Sequence, residues 1–236
     1  MSGIQDYWEF CDDFLGGGTI TTVGLDPWVI TDASSSGTPT YTRVDHGETA
    51  GVFRPGVAQL AFDSQGEAQN VCLSWGDKLA IDFTTLRGYE CAVRLVQGTG
   101  SHKDTTTTML WGVSGDRNDT VDSIAYQASF RLASASAVET VVCESDDGTN
   151  DKDDIATGFD LTVSTWAKFK IDFSNKSDVK FYAGLSTGQM SRVAAATTFD
   201  MSNYAAGVQP IFQIQKTSDT NVDALQIDYV RLWGVR

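Results

Sequence analysis

Between Thr165 and Leu185 the chain reads TWAKFKIDFSNKSDVKFYAGL, and this stretch limits the fold more than any other. Ala167, Phe169, Ile171 and Phe173 alternate with Trp166, Lys168, Lys170 and Asp172. After Asn175-Lys176-Ser177-Asp178, Val179, Phe181, Ala183 and Leu185 alternate with Lys180 and Tyr182. Successive side chains of a strand point to opposite faces, so a period of two sets one side on a core and the other toward solvent or a second layer. The stretch predicts two strands joined by a short polar turn, and with them a sheet protein.

The rest of the chain repeats that signal. Strands are predicted near Tyr7–Leu15, Trp28–Ile30, Tyr41–Val44, Val57–Phe62, Val71–Trp75, Leu79–Phe83 and Tyr89–Leu95. Others follow at Thr106–Val113, Tyr126–Leu132, Val138–Cys143, Val208–Gln215 and Leu225–Trp233. Separators such as DSQGE, GD and SGDRND carry turn chemistry, Glu144–Asp154 reads as an acidic loop, and one helical turn is expected around Ser191–Ala196. Strands at this density without alternating helices indicate an all-β sandwich or barrel, and self-similar propeller blades are missing. No interdomain linker interrupts the 236 residues, so residues 1–236 are read as one domain, with 22 Gly against 4 Pro for its turns.

The charge narrows the partners. There are 31 acidic and 17 basic residues, a net −14, and Asp outnumbers Glu 25 to 6, which places the acidity in loops. A field of that sign repels nucleic acid and anionic lipid, so neither is expected as a partner. The opening MSGIQDYWEF has no basic or apolar signal region, and no apolar run is long enough to span a membrane. Cys11, Cys72, Cys91 and Cys143 are scattered without a CxxC pair; two disulfides could join them, but four buried thiols are expected.

Two features together resemble the concanavalin A-like (LamG-like) jelly rolls. One is the opening strand with Phe10, Asp12, Asp13, Phe14, Leu15 and Gly16, followed by Trp28. The other is the Trp166–Tyr182 hairpin together with the ending Ile227-Asp228-Tyr229-Val230-Arg231-Leu232-Trp233. The resemblance implies a single jelly-roll sandwich of two antiparallel sheets, with the first and last strands side by side. The DDFLGG opening also resembles, in style, the structural proteins of tailed bacteriophages, which implies a capsid decoration protein or a lectin-like tail or fibre domain.

Candidate chemistry is sparse. Some fold relatives are glucanases with a Glu-x-Asp-x-x-Glu strand. The nearest match here is Glu144-Ser145-Asp146-Asp147-Gly148-Thr149, with Thr149 in place of the second Glu. The lyase-like Gln-Ile-His motif fails at Gln213-Ile214-Gln215, and His46 and His102 read as solvated loop residues. No GxSxG, paired Cys/His set or HExxH is present. Asp146, Asp147, Asn150, Asp151 and Asp153 form an oxygen-rich run that could hold calcium, although it lacks the EF-hand spacing. Trp75, Trp111 and Trp166 are candidates for an interface or for stacking on a glycan.

These readings lead to a non-enzymatic virion protein, a capsid decoration (cement) protein assembled in the host cytoplasm. Its partners would be the major capsid protein and further copies of itself, with trimers suiting threefold sites. The alternative is a carbohydrate-binding lectin-like module with a glycan partner, and behind it a degenerate glycoside hydrolase or polysaccharide lyase.

Overall fold

The hairpin that dominates the sequence is formed by Ala167–Asp172 and Lys180–Leu185, paired antiparallel with Lys170 opposite Tyr182. Ala167, Phe169, Ile171, Phe173, Val179, Phe181 and Ala183 point into the core, as their period requires. Leu185 departs from it: at 45 % exposure it lies at the strand end, where Gly188 closes a turn on its carbonyl.

The computed structural model describes residues 6–14, 27–44, 56–97, 103–133 and 139–236. Within them the strands are β1 (Tyr7–Asp12), β2 (Val29–Asp32), β3 (Thr40–Val44), β4 (Val57–Ala61), β5 (Gln69–Ser74), β6 (Ile81–Asp82), β7 (Leu86–Val96) and β8 (Thr107–Ser114). They continue with β9 (Gln127–Leu132), β10 (Thr140–Asp146), β11 (Asp151–Asp160), β12 (Ala167–Asp172), β13 (Lys180–Leu185), β14 (Ser191–Val193), β15 (Gly207–Lys216) and β16 (Ala224–Val235).

Two antiparallel sheets result. One runs β14-β13-β12-β7-β16-β4-β3, and the other β11-β10-β9-β8-β15-β5-β2. The twelve-residue β16 serves two partners along one edge, β4 beside Ala224–Ile227 and β1 beside Val230–Val235. The first and last strands are therefore neighbours, as the resemblance implies. In the same way β15 pairs with β6 at Gly207–Val208 and with β5 from Ile211 onward. The inner faces meet in a core that includes Phe130, Phe169, Phe181, Phe212 and Trp111.

The opening motif is a staple for this core. The Asp12 carboxylate accepts the Phe14 amide at 2.7 Å and the Trp28 indole N–H at 2.7 Å. Phe14 and Trp28 are buried with ring centroids 5.6 Å apart. Leu15 and Gly16 lie outside the described residues.

Two local expectations are corrected. Ser191–Val193 is an edge strand on β13, with Arg192 opposite Tyr182, and Ala194 at φ 50° turns the chain out of it. The acidic stretch 144–154 is a β-hairpin rather than a loop: Asp146 pairs with Asp151 across the turn at residues 147–150. Register shifts between Val141/Val142 and between Cys143/Ser145 break the alternation that would have revealed these strands. Of the four cysteines, Cys72, Cys91 and Cys143 are buried free thiols, whereas Cys11 is exposed.

The outer face of the second sheet is covered by the segment 115–126, which includes a 3-10 turn at Val121–Ser123. Val121 and Ile124 pack on Cys72, Leu110 and Ile211. Gln209 and Gln213 donate to the carbonyls of Gly115 and Asn118, both at 2.9 Å, and Asn70 donates to that of Asp119. Gln215 accepts the Val121 amide at 3.2 Å, and Arg131 pairs with Asp122. This strap explains why β5 and β9 are buried throughout, on polar and apolar positions alike.

A second polar group is buried within the sandwich itself. Lys216 ends the inward row Phe212, Ile214, Lys216 and is 1 % exposed. Its ammonium donates to the carbonyls of Asp63 and Gln65 at 2.8 Å, Asp219 at 3.0 Å and Asn221 at 3.3 Å. It also sits 5.3 Å from the Phe62 ring centroid.

Candidate functional site

At one end of the second sheet, chain leaving β5, β8 and β10 meets chain entering β6, β9, β11 and β15. Between these segments lies a cleft of about 370 Å³ lined by Leu79, Asp116, Tyr126, Asp147, Asn203, Tyr204 and Ala205–Ala206. Its size is near the lower end for small-molecule pockets.

The wall is aromatic. Tyr126 and Tyr204 stack with centroids 4.8 Å apart and planes at 28°. Tyr204 is fixed by its hydroxyl, which donates to the Gly207 carbonyl at 2.6 Å. Burial, then Asp116 and Tyr126, raise its phenol above the usual value. Tyr126 is 40 % exposed and offers its ring to the cleft. Gly148, at φ +83°, runs against the edge of that ring, where a Cβ would come within 2.7 Å of Cε1, so a side chain there is excluded twice over.

The floor is Asp147, 4 % exposed. Its Oδ1 accepts the amides of Thr149 at 2.9 Å and Asn150 at 2.7 Å. Its Oδ2 accepts Asn150 Nδ2 at 3.1 Å, the Asn203 amide at 3.1 Å and Asn203 Nδ2 at 3.2 Å. Burial alone would raise this carboxyl, but the hydrogen bonds outweigh it and hold it below its ordinary value. Asp147 thus ties the β10–β11 turn to the loop before β15 and presents Asn203 at the rim. The site offers an exposed aromatic face, an amide and carboxylates, a set suited to hydroxyl-rich rings and without a nucleophile–base pair.

The residues singled out in the sequence fall elsewhere, with one exception. Trp75 and Trp111 are core residues at 5 % and 0 % exposure, Trp75 against Phe10 and Trp111 against Phe130 and Phe169. Trp166 does lie on the outer face of the first sheet, half-buried, with the Arg94 guanidinium 4.8 Å over its ring. Of the calcium candidates, only Asp147 lines the cleft. Asp146 accepts the Gly148 amide at 2.7 Å, and Asp151 and Asp153 lie on the exposed edge strand β11. Among the described residues no three His, Cys, Asp or Glu side chains converge to hold a metal. Asp147, the best placed of the calcium candidates, has both carboxylate oxygens engaged by N–H groups.

Glu144 is 2 % exposed, paired with Arg131 at 2.7 Å and accepting from Gln127 at 3.2 Å, beneath the strap. A substrate cannot reach it. Gln213, from the lyase-like comparison, anchors the strap, and His46 and His102 lie outside the described residues.

Sequence reasoning missed Asp116, Asn203 and Tyr204, and read Tyr126 as the first residue of the strand Tyr126–Leu132, which begins instead at Gln127. The available signal was an Asn-Tyr pair in a loop before a strong strand. It gains meaning only once the fold brings it beside Asp147.

No known protein-family profile matches the chain, and no curated protein sequence is similar to it. Solved structures do resemble it. A Shewanella oneidensis MR-1 protein of unknown function is 13 % identical with a TM-score of 0.60, over 100 % of this chain and 89 % of that one. A Lotus tetragonolobus seed lectin is 8 % identical with a TM-score of 0.58, over 97 % and 99 %. The exoplasmic/lumenal domain of VIP36, in a Ca2+-bound form, is 11 % identical with a TM-score of 0.54, over 97 % and 90 %. At these identities the likeness is one of fold: the chain has the concanavalin A-like lectin jelly roll.

Proposed function

We propose that the protein is a non-enzymatic carbohydrate-binding module and that the cleft at Tyr126, Tyr204, Asn203 and Asp116 holds the sugar. The observation that carries this reading is a half-exposed tyrosine, braced by a second ring, beside an amide and two carboxylates in one small cleft. Support also comes from the fold, which the chain shares with lectins. Aromatic faces bury the apolar side of a sugar ring, while placed polar groups fix its hydroxyls. Titration of the intact chain with a glycan panel tests the reading. Tyr126→Ala and Asn203→Ala are each expected to weaken binding about tenfold or more, the scale of one lost anchor or charge-assisted hydrogen bond. Binding that ignores both changes would move the site elsewhere.

The capsid-decoration role, with its virion location, capsid partner and trimers, rests on the phage-like opening, the acidity of the chain and the lack of a recognisable catalytic motif. Asp12 and Trp28 now have a structural role in the core, and neither the fold neighbours nor the cleft supports that reading. Counting copies of the chain in purified particles tests it, and their absence would end it.

A further inference from the structure

The cleft has an electrostatic bias beyond its shape. Two of its lining residues, Asp116 and Asp147, carry carboxylates, and among the described residues that line it none carries a cation. Asp147 is committed to N–H groups on both oxygens. Asp116 is different: it is exposed at the mouth and, among the described residues, has no hydrogen-bond or ion-pair partner. The next residue, Arg117, turns its guanidinium to Asp119 and gives its amide to Asp77 at 2.8 Å, so it does not neutralise Asp116. Asp116 nevertheless stands close enough to the aromatic wall to act on the Tyr204 hydroxyl. The chain around it carries a net −14, which reinforces the local field.

We infer that the cleft sorts sugars by charge: it accepts neutral rings, holds amino-bearing rings more tightly and turns away carboxylated or sulfated rings, with Asp116 setting the order. The inference rests on the carbohydrate reading above and gives it a ligand class. An ammonium group on the ring would meet both the free carboxylate and the negative face of Tyr126, two attractions of the same sign. A ring carboxylate would meet Asp116 with no counter-charge between them. For solvent-exposed charges at contact distance each step is about fivefold in affinity, and it shrinks as salt rises.

The test is titration of the intact chain with matched monosaccharide series, read by amide chemical shifts at slightly acidic pH and low salt. Glucose, glucosamine and glucuronate form one series, with the galactose and mannose equivalents beside it. In whichever series binds, the amino sugar is expected tightest and the uronate weakest, and Asp116→Asn is expected to bring the three affinities together. Equal binding of the uronate and the neutral sugar overturns the charge inference while leaving the carbohydrate reading in place. So does an order that survives Asp116→Asn. Failure of every series, at every charge, removes the carbohydrate reading and this inference with it. Because Asp116 is an exposed loop residue without side-chain partners among the described residues, its replacement is expected to leave the fold intact, which an unchanged thermal midpoint checks.

Discussion

A single carboxylate accounts for most of what is recognisable in the opening of the chain. Asp12 accepts one hydrogen bond from the backbone two residues on and another from an indole sixteen residues on. It thereby fixes Phe14 in a left-handed turn, φ 53°, with its ring on Trp28. The residues that resemble the jelly-roll opening are thus a fold device and not a binding site. Hydrogen bonds to an ionised group contribute about 1.5–3 kcal/mol each when one partner is deleted. Asp12→Ala is therefore expected to cost about 3 kcal/mol, read as a lower denaturant midpoint at unchanged slope and a red-shifted tryptophan emission. Wild-type stability in that variant would mean that the staple is incidental. The three tryptophans show the limit of reading single residues: alternation placed Trp166 correctly on an outer face, but nothing in the sequence revealed that Arg94 covers it. Trp75 and Trp111 instead pack inward, Trp75 against Phe10 and Trp111 against Phe130 and Phe169.

At the scale of elements, the strap across the second sheet explains where pattern reading failed. Gln209, Gln213 and Asn70 look like solvent-facing residues of half-buried strands, yet they are covered because their amides hold the strap's backbone. Arg131 draws three elements together, pairing with Asp122 of the strap, Glu144 of β10 and Asp154 of β11. Burial pushes the Glu144 carboxyl from its ordinary 4.5 up to about 7, against the opposing pull of Arg131. The folded chain then keeps a proton that the unfolded chain releases near 4.5. Stability from this group is full below that pH and is lost as pH rises through about 7. Denaturant midpoints measured across this window should fall less steeply with rising pH in Glu144→Gln than in the wild type. Parallel profiles would show that Glu144 ionises alike in both states. Asp147 carries the opposite sign, since its stabilisation is lost only as pH drops below the ordinary carboxylate range.

At the scale of the whole molecule, the all-β class was legible from a period of two, and the two-sheet sandwich with its terminal strands paired was what the jelly-roll resemblance implied. The cleft was not legible, because its members come from four separate connections and none is unusual in its own neighbourhood. Lys216 was equally silent: a charged residue at the end of an apolar row reads as the strand leaving the core. Instead its ammonium stands among four carbonyl oxygens from the β4–β5 and β15–β16 connections. Lys216→Ala would strand those oxygens in a buried cavity and is expected to cost about 3 kcal/mol. Ammonium salts should restore part of that loss in the variant, while a chelator leaves the wild-type thermal midpoint where it was. A drop in the wild-type midpoint on chelation would point to a metal elsewhere in the fold. The chain thus supplies these two connections with a cation that cannot be dialysed away, diluted or stripped by competing ligands. Their order is inherited with the sequence and does not depend on the mineral content of the surroundings.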